Sequence, residues 1–227
     1  MTIAANLAAV RERIAAACRR SGRNPAEVRI VAVSKTHPAA AVAEAIAAGV
    51  DAIGENRVQE AAAKRPLVPA TVPWHLIGPL QRNKARLALD TFEVIQTVDR
   101  APIADRLEQL AAEREVCLPA FLEVNIAGEE SKHGVPPPAA HALLEHVVTR
   151  CPHLSLRGLM TVPPFSPEAE RVRPHFAALS RLAEQLSHWA GIARLELSMG
   201  MSDDFEVAVE EGASWIRLGR ALFGDRR

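Results

Sequence analysis

The residues with chemistry to offer begin with Lys35. It follows Val28, Ile30, Val31 and Val33, a β-branched run with apolar side chains on both faces. Such a run describes a parallel strand buried on both sides. A lysine at its tip sits beside a buried core, where partial desolvation lowers its pKa and raises the neutral, nucleophilic fraction that Schiff-base chemistry needs. Alone, a strand-end lysine can equally snorkel into water. What stands around it therefore decides. Near the C-terminus, Ser198-Met199-Gly200-Met201-Ser202 leads into a helical segment from Asp203. Small residues, backbone N–H groups and hydroxyls at a helix start make an anion-binding arrangement. Arg217 adds a permanent charge able to grip an oxyanion bidentately, and Gly219 allows close backbone approach.

These residues need elements to hold them. Ile3, Leu7, Val10 and Ile14 fall at helical spacing and predict an amphipathic helix ending near Gly22. Strands are then predicted at 28–34, 51–54, 74–77, 94–98, 120–125, 154–160, 194–198 and 214–218. Helical segments separate them: 39–48, 57–64, 81–89, 102–114, 136–150, 168–189 and 203–211. Strict βα alternation implies a parallel sheet, and eight units close a single (β/α)8 barrel. Few residues follow the eighth strand, so the N-terminal helix is expected to take the place of the eighth helix. A doubly wound open sheet is the alternative, but no GxGxxG follows the first strand. One domain over residues 1–227 is expected.

A barrel of this kind works at the carboxyl ends of its strands. Lys35, Asn56, Gly78, Thr97, Asn125, Met160, Ser198–Ser202 and Arg217–Gly219 follow the strands in turn and so share one rim. The loops after strands seven and eight are the usual phosphate site of this fold. A reactive lysine facing a phosphate cradle asks for a phosphorylated aldehyde or ketone. Pyridoxal phosphate held by the lysine is one answer, and the sugar phosphate of a cofactor-free Schiff-base aldolase is the other.

Bulk properties narrow the field. Of the 227 residues, 48% are hydrophobic and 24% charged, as in an ordinary globular protein. Lys plus Arg balances Asp plus Glu at 27 each, so no global field draws nucleic acid or anionic membrane. Arg82, Lys84 and Arg86 read as solvated residues on a first helical turn. Cys18, Cys117 and Cys151 lack close metal-ligand spacing and read as reduced thiols. Arg11, Glu12 and Arg13 interrupt the apolar start too early for a signal peptide, and no run approaches membrane-spanning length. A cytoplasmic monomer is expected.

The segments VAVSKTHP, IGENRVQE, WHLIGPLQRNK, NIAGEESKHG, LRGLMTVPP and LSMGMSDDFEVAVEEGASWIRLGRALFG together resemble the pyridoxal phosphate homeostasis family. The likeness runs from about Val28 to Gly224. It implies a barrel like the N-terminal domain of alanine racemase, with pyridoxal phosphate held as a reversible aldimine on Lys35. It also implies Ser202 with the neighbouring Gly200 backbone, Arg217 and Gly219 around the phosphate, with Asn56 near the cofactor ring, and Ser198 is expected beside them from the composition of its own loop. Arg57 stands where relatives often carry a tyrosine after GEN.

The resemblance implies a carrier that buffers pyridoxal phosphate and delivers it to apo-enzymes. The alternative is an amino-acid racemase of related fold. Such a racemase uses a tyrosine as its second base and a further β-domain, and this chain contains no tyrosine. A two-base proton transfer then lacks a partner. His75, at the start of the third strand, is expected to point to the opposite barrel end, whereas His37 and His133 stand on rim loops. The polar loop Glu129–His133 is expected to fold over the ligand.

Overall fold

Branched apolar runs alternate with alanine-rich amphipathic segments, and each run forms one short strand. The computed structural model describes residues 2–129 and 131–224. The strands are β1 (Arg29–Val33), β2 (Ala52–Glu55), β3 (Trp74–Leu76), β4 (Val94–Val98), β5 (Leu118–Glu123), β6 (Leu154–Met160), β7 (Glu196–Ser198) and β8 (Trp215–Leu218). They pair in sequence order, all parallel, and β8 closes on β1 with Arg29 opposite Trp215 and Ala32 opposite Leu218. The expected (β/α)8 barrel is the observed fold.

The helices are α1 (Ile3–Ser21), α2 (Ala39–Ala48), α3 (Val58–Lys64), α4 (Ala85–Thr91), α5 (Ala101–Glu113), α6 (Pro137–Arg150), α7 (Arg173–Ala190), α8 (Phe205–Glu210) and α9 (Arg220–Phe223). Thr2 caps α1 by accepting a hydrogen bond from the Ala5 N–H, and Gly22 ends it in the left-handed region. α1 packs on α2, α8 and α9, where Asn6 Nδ2 donates to the Leu222 carbonyl at 2.8 Å. The eighth helix is thus not replaced outright: a single turn, α9, follows β8, and α1 covers what it leaves open.

Strand alternation sorts the side chains. Ile30, Ala32, Ile53, Leu76, Ile95, Leu122, Leu159, Leu197 and Ile216 face outward into the main core beneath the helices. Val31, Ala52, Phe121, Met160 and Trp215 form a second cluster that fills the barrel centre. The strand ends differ from expectation by one to two residues. β7 starts at Glu196 rather than Arg194, and β5 starts at Leu118 rather than Ala120. The long helix after β6 opens as a 3-10 turn over Ala169–Val172, and Pro174 in the first turn of α7 sets where the α-helix proper begins. Gly158 in β6 is required by packing, since a Cβ there would stand 2.0 Å from the Glu196 carbonyl oxygen. No helix among the described residues is long and apolar enough to cross a membrane.

Candidate functional site

β1 delivers Lys35 through a tight turn. Ser34 is fully buried, its N–H donating to the Gly54 carbonyl at 3.0 Å and its Oγ to Glu55 Oε1 at 2.7 Å. Lys35 is half-buried. Thr36 follows at φ +69°, a conformation that a β-branched residue rarely adopts. Its N–H donates to Glu60 Oε1 at 2.6 Å. His37 then stacks on the Phe223 ring, centroids 4.6 Å apart.

This turn opens on a rim cavity of about 320 Å³, within the range of small-molecule sites. Lys35, Asn56, Ser202, Gly219 and Arg217 all line it. Val33, Ile77, Val162, Phe165 and Met201 supply apolar surface between them. At the rim Arg220 is ion-paired with Asp203. The Ser202 hydroxyl accepts from the Ala221 N–H at 3.2 Å, tying the loops after β7 and β8 together. A second cavity of about 560 Å³ shares Asn56 and is bordered by Arg57, Lys84, Arg100 and His133.

Not every residue expected in the cradle lines it. Lys35, Asn56, Ser202, Arg217 and Gly219 do, and Ser198 and Gly200 do not. Ser198 faces the barrel interior, because Leu197 beside it faces the helices and strands alternate. Gly200 is buried at φ +92°, where a Cβ would meet the Ala208 Cβ at 2.5 Å. A glycine there lets the chain turn beneath α8.

Below the cavity the interior is unexpectedly polar. Arg217 is 4% exposed, with Nη1 donating to Ser198 Oγ at 2.8 Å and Nη2 to the Thr161 carbonyl at 2.7 Å. Ser198 Oγ donates to Gln96 Oε1 at 2.6 Å, and Gln96 Nε2 meets His75 Nδ1 at 2.7 Å. An arginine can only donate, so the direction of the chain is set: Ser198 passes its one O–H on to Gln96, and Gln96 donates to an unprotonated His75 Nδ1. Burial, reinforced by the charge of Arg29, holds His75 down at about 3, in keeping with that neutral ring. His75 also packs edge-on against Trp215, the first residue of β8, with centroids 4.8 Å apart. It therefore lies low in the barrel, as expected, yet is linked to the rim through three side chains.

Burial lowers Arg217 to about 10, against the charges of Asp204 and Glu123 that hold it up. Glu123, at the end of β5, is 7% exposed and its Oε2 has no protein partner. Burial pushes its carboxyl up to about 7, aided by Asp99 and opposed by Arg217. Behind the Lys35 turn, Lys64 Nζ donates to the Ser34 carbonyl at 2.8 Å, to Glu55 Oε1 at 2.8 Å and to Glu60 Oε1 at 2.7 Å. Sequence reasoning missed Gln96, Glu123 and Lys64. For the first two the available signal was a charged or amide side chain inside an otherwise apolar strand, as in VIQTV and FLEVN.

The rim histidines and the described residues of the polar loop do not line the Lys35 cavity. Asn125 Nδ2 holds the Glu129 carbonyl at 2.8 Å, and His133 borders the second cavity. Glu130 of this loop lies outside the described residues. Spacing in sequence also hid one grouping: ligand atoms of Asp105, His146 and Cys151 lie within 4.8 Å of one another. His146 Nε2 already hydrogen-bonds Asp105 Oδ1 at 2.6 Å, and burial, with Glu108 and Asp105 nearby, pushes the Cys151 thiol up to about 11.

A closed parallel barrel of eight strands, with a lysine-bearing turn after β1 facing the loops after β7 and β8, defines a barrel of the alanine racemase N-terminal type. The family model for the alanine racemase N-terminal domain matches residues 5–227. The pyridoxal phosphate homeostasis protein of Pseudomonas aeruginosa is 48% identical over 229 residues, covering 99% of this chain and 96% of the relative. PipY of Synechococcus elongatus, solved with PLP bound, is 40% identical with a TM-score of 0.85, covering 98% of this chain and all of that one. Alanine racemase of Clostridium difficile 630 shares the fold alone, at 15% identity and a TM-score of 0.74, and this chain covers 56% of its length. The chain belongs to the alanine racemase N-terminal domain family and, within it, to the pyridoxal phosphate homeostasis proteins.

Proposed function

We propose that this chain holds pyridoxal phosphate on Lys35, buffers it, and hands it to apo-enzymes that require it. One observation carries this reading: Lys35 opens on the same cavity as Ser202 and Gly219 from the phosphate-type loops after β7 and β8. When bound, the group would supply an aldehyde to which the neutral Lys35 amine could bond reversibly, with water leaving as the bond forms and returning as it breaks. Ser202 and Gly219 offer a hydroxyl and an unshielded backbone to the phosphate. Asn56 offers an amide beside the ring, and Val162 and Phe165 offer apolar surface. Arg217 spends two of its five donors on the barrel while still bordering the cavity. The relationship to the Pseudomonas protein and to PLP-bound PipY supports the same assignment.

Two-base racemisation needs a second group to move a proton at the far face of the substrate. The chain has no tyrosine to do so. Glu123 has a suitable proton affinity, but it does not line the cavity. Holding and release need no such group, which favours a carrier over a racemase.

The test is to add pyridoxal phosphate, trap the adduct with borohydride and map the modified peptide, with Lys35→Ala alongside. The expected result is a visible-absorbing adduct on Lys35, absent from the variant, with no racemisation or decarboxylation of amino acids. Lys35-dependent turnover would move the protein to the enzymes. Absence of any adduct would return the aldolase reading, with sugar phosphates the ligands to try.

A further inference from the structure

We propose that Lys64, outside the cavity, is a positioning residue that fixes the direction in which Lys35 reaches its ligand. The proposal rests on the carrier reading and deepens it. A Cα sits between two peptide planes, and its Cβ direction follows once both planes are fixed. For Lys35 both planes are held from α3. The plane before it ends in the Ser34 carbonyl, which accepts from Lys64 Nζ at 2.8 Å. The plane after it carries the Thr36 N–H, which donates to Glu60 Oε1 at 2.6 Å. Lys64 also donates to that same Glu60 oxygen at 2.7 Å and to Glu55 Oε1 at 2.8 Å. An ammonium has three donors, and all three are committed.

The turn needs such a clamp. Thr36 stands at φ +69°, and a β-branched residue stays there only when its surroundings over-determine it. Lys64 has only 12% of its side chain exposed, and Glu55 beneath it has none. The Lys64–Glu55 half of the clamp is therefore shielded from competing water, and its bonds tie the Lys35 turn to β2 and α3 at once. Lys64 and Glu60 lie four residues apart on one helix face, so α3 presents both groups to the turn as a unit.

The experiment uses the whole chain and two readouts. Amide hydrogen exchange at residues 34–37 reports the turn without ligand, and titration with pyridoxal phosphate followed by borohydride mapping reports Lys35. Lys64→Met is expected to speed exchange at these amides alone and to weaken uptake on Lys35 by about tenfold or more, since small misplacements of a reacting group are costly. Glu60→Ala, at a more exposed position, is expected to act in the same direction and covers the case in which Lys64→Met fails to fold. In a Thr36→Gly background the turn no longer needs forcing, so the penalty of Lys64→Met is expected to shrink to about threefold or less. Unchanged exchange at 34–37, unchanged uptake, or an equal penalty in both backgrounds would each overturn the clamp. If wild type carries no label on Lys35, the carrier reading falls at wild type and the clamp loses its purpose with it. A failure of the clamp alone shows only in the variants.

Discussion

At the scale of single residues, type alone said less than placement. Ser198 and Ser202 read alike in SMGMS, two hydroxyls near a helix start. The pleat separates them: Ser202 lines the cavity, and Ser198 turns into the barrel to join Arg217 and Gln96. Ser198→Ala therefore tests a structural role. It strips Arg217 Nη1 of an acceptor and Gln96 Oε1 of a donor in a dry interior, where an unsatisfied group costs about 1–3 kcal/mol. Denaturant unfolding is expected to show a loss of that order, with pyridoxal phosphate still mapped to Lys35. Loss of the adduct with stability intact would return Ser198 to the ligand.

At the scale of elements, the sequence was most informative where its pattern was physical. Branched runs and alanine-rich helices alternate strictly, so all eight strands and the parallel barrel were legible before any coordinate. Less legible were the ends of β5 and β7 and the single turn α9, because these depend on register against a neighbour rather than on local preference. Lys35, Asn56, Ser202, Arg217 and Gly219 were legible as rim residues. The Lys64 clamp was not, since nothing in VQEAAAK shows which turn its lysine meets across space. Gly200 marks the boundary between the two cases. A glycine before a helix is ordinary, but this one stands at φ +92° with the Ala208 Cβ 2.5 Å from where its own would be. Gly200→Ala is expected to cost about 2 kcal/mol or more and, by shifting the Ser202 turn, to weaken pyridoxal phosphate uptake. Gly22, at φ +68° with open space around it, is the control. Gly22→Ala should cost only about 1 kcal/mol and leave uptake unchanged. Equal effects on uptake would show that the β7 loop does not shape the cavity.

At the scale of the whole molecule, a polar barrel interior makes stability depend on pH through two buried groups of opposite habit. His75 is held at about 3, below its ordinary 6.5, so its contribution is full above about 6.5 and is lost as pH falls toward 3. Glu123 is raised to about 7 from 4.5, so its contribution is full below about 4.5 and is lost as pH rises through 7. Between about 4.5 and 6.5 the unfolded chain carries one extra proton on the histidine and one fewer on the glutamate, so the two slopes cancel. Glu123→Gln removes one side of that balance. Relative to wild type, the variant's unfolding free energy is expected to climb by about 1.4 kcal/mol per pH unit across this window. The total gain by pH 8 should be on the order of 3 kcal/mol. Urea unfolding of both proteins from pH 4.5 to 8 measures the difference directly, with contributions from other groups common to the two. Parallel curves would mean that Glu123 ionises as freely in the folded barrel as in the unfolded chain, and that the interior around Arg217 is wetter than its packing indicates.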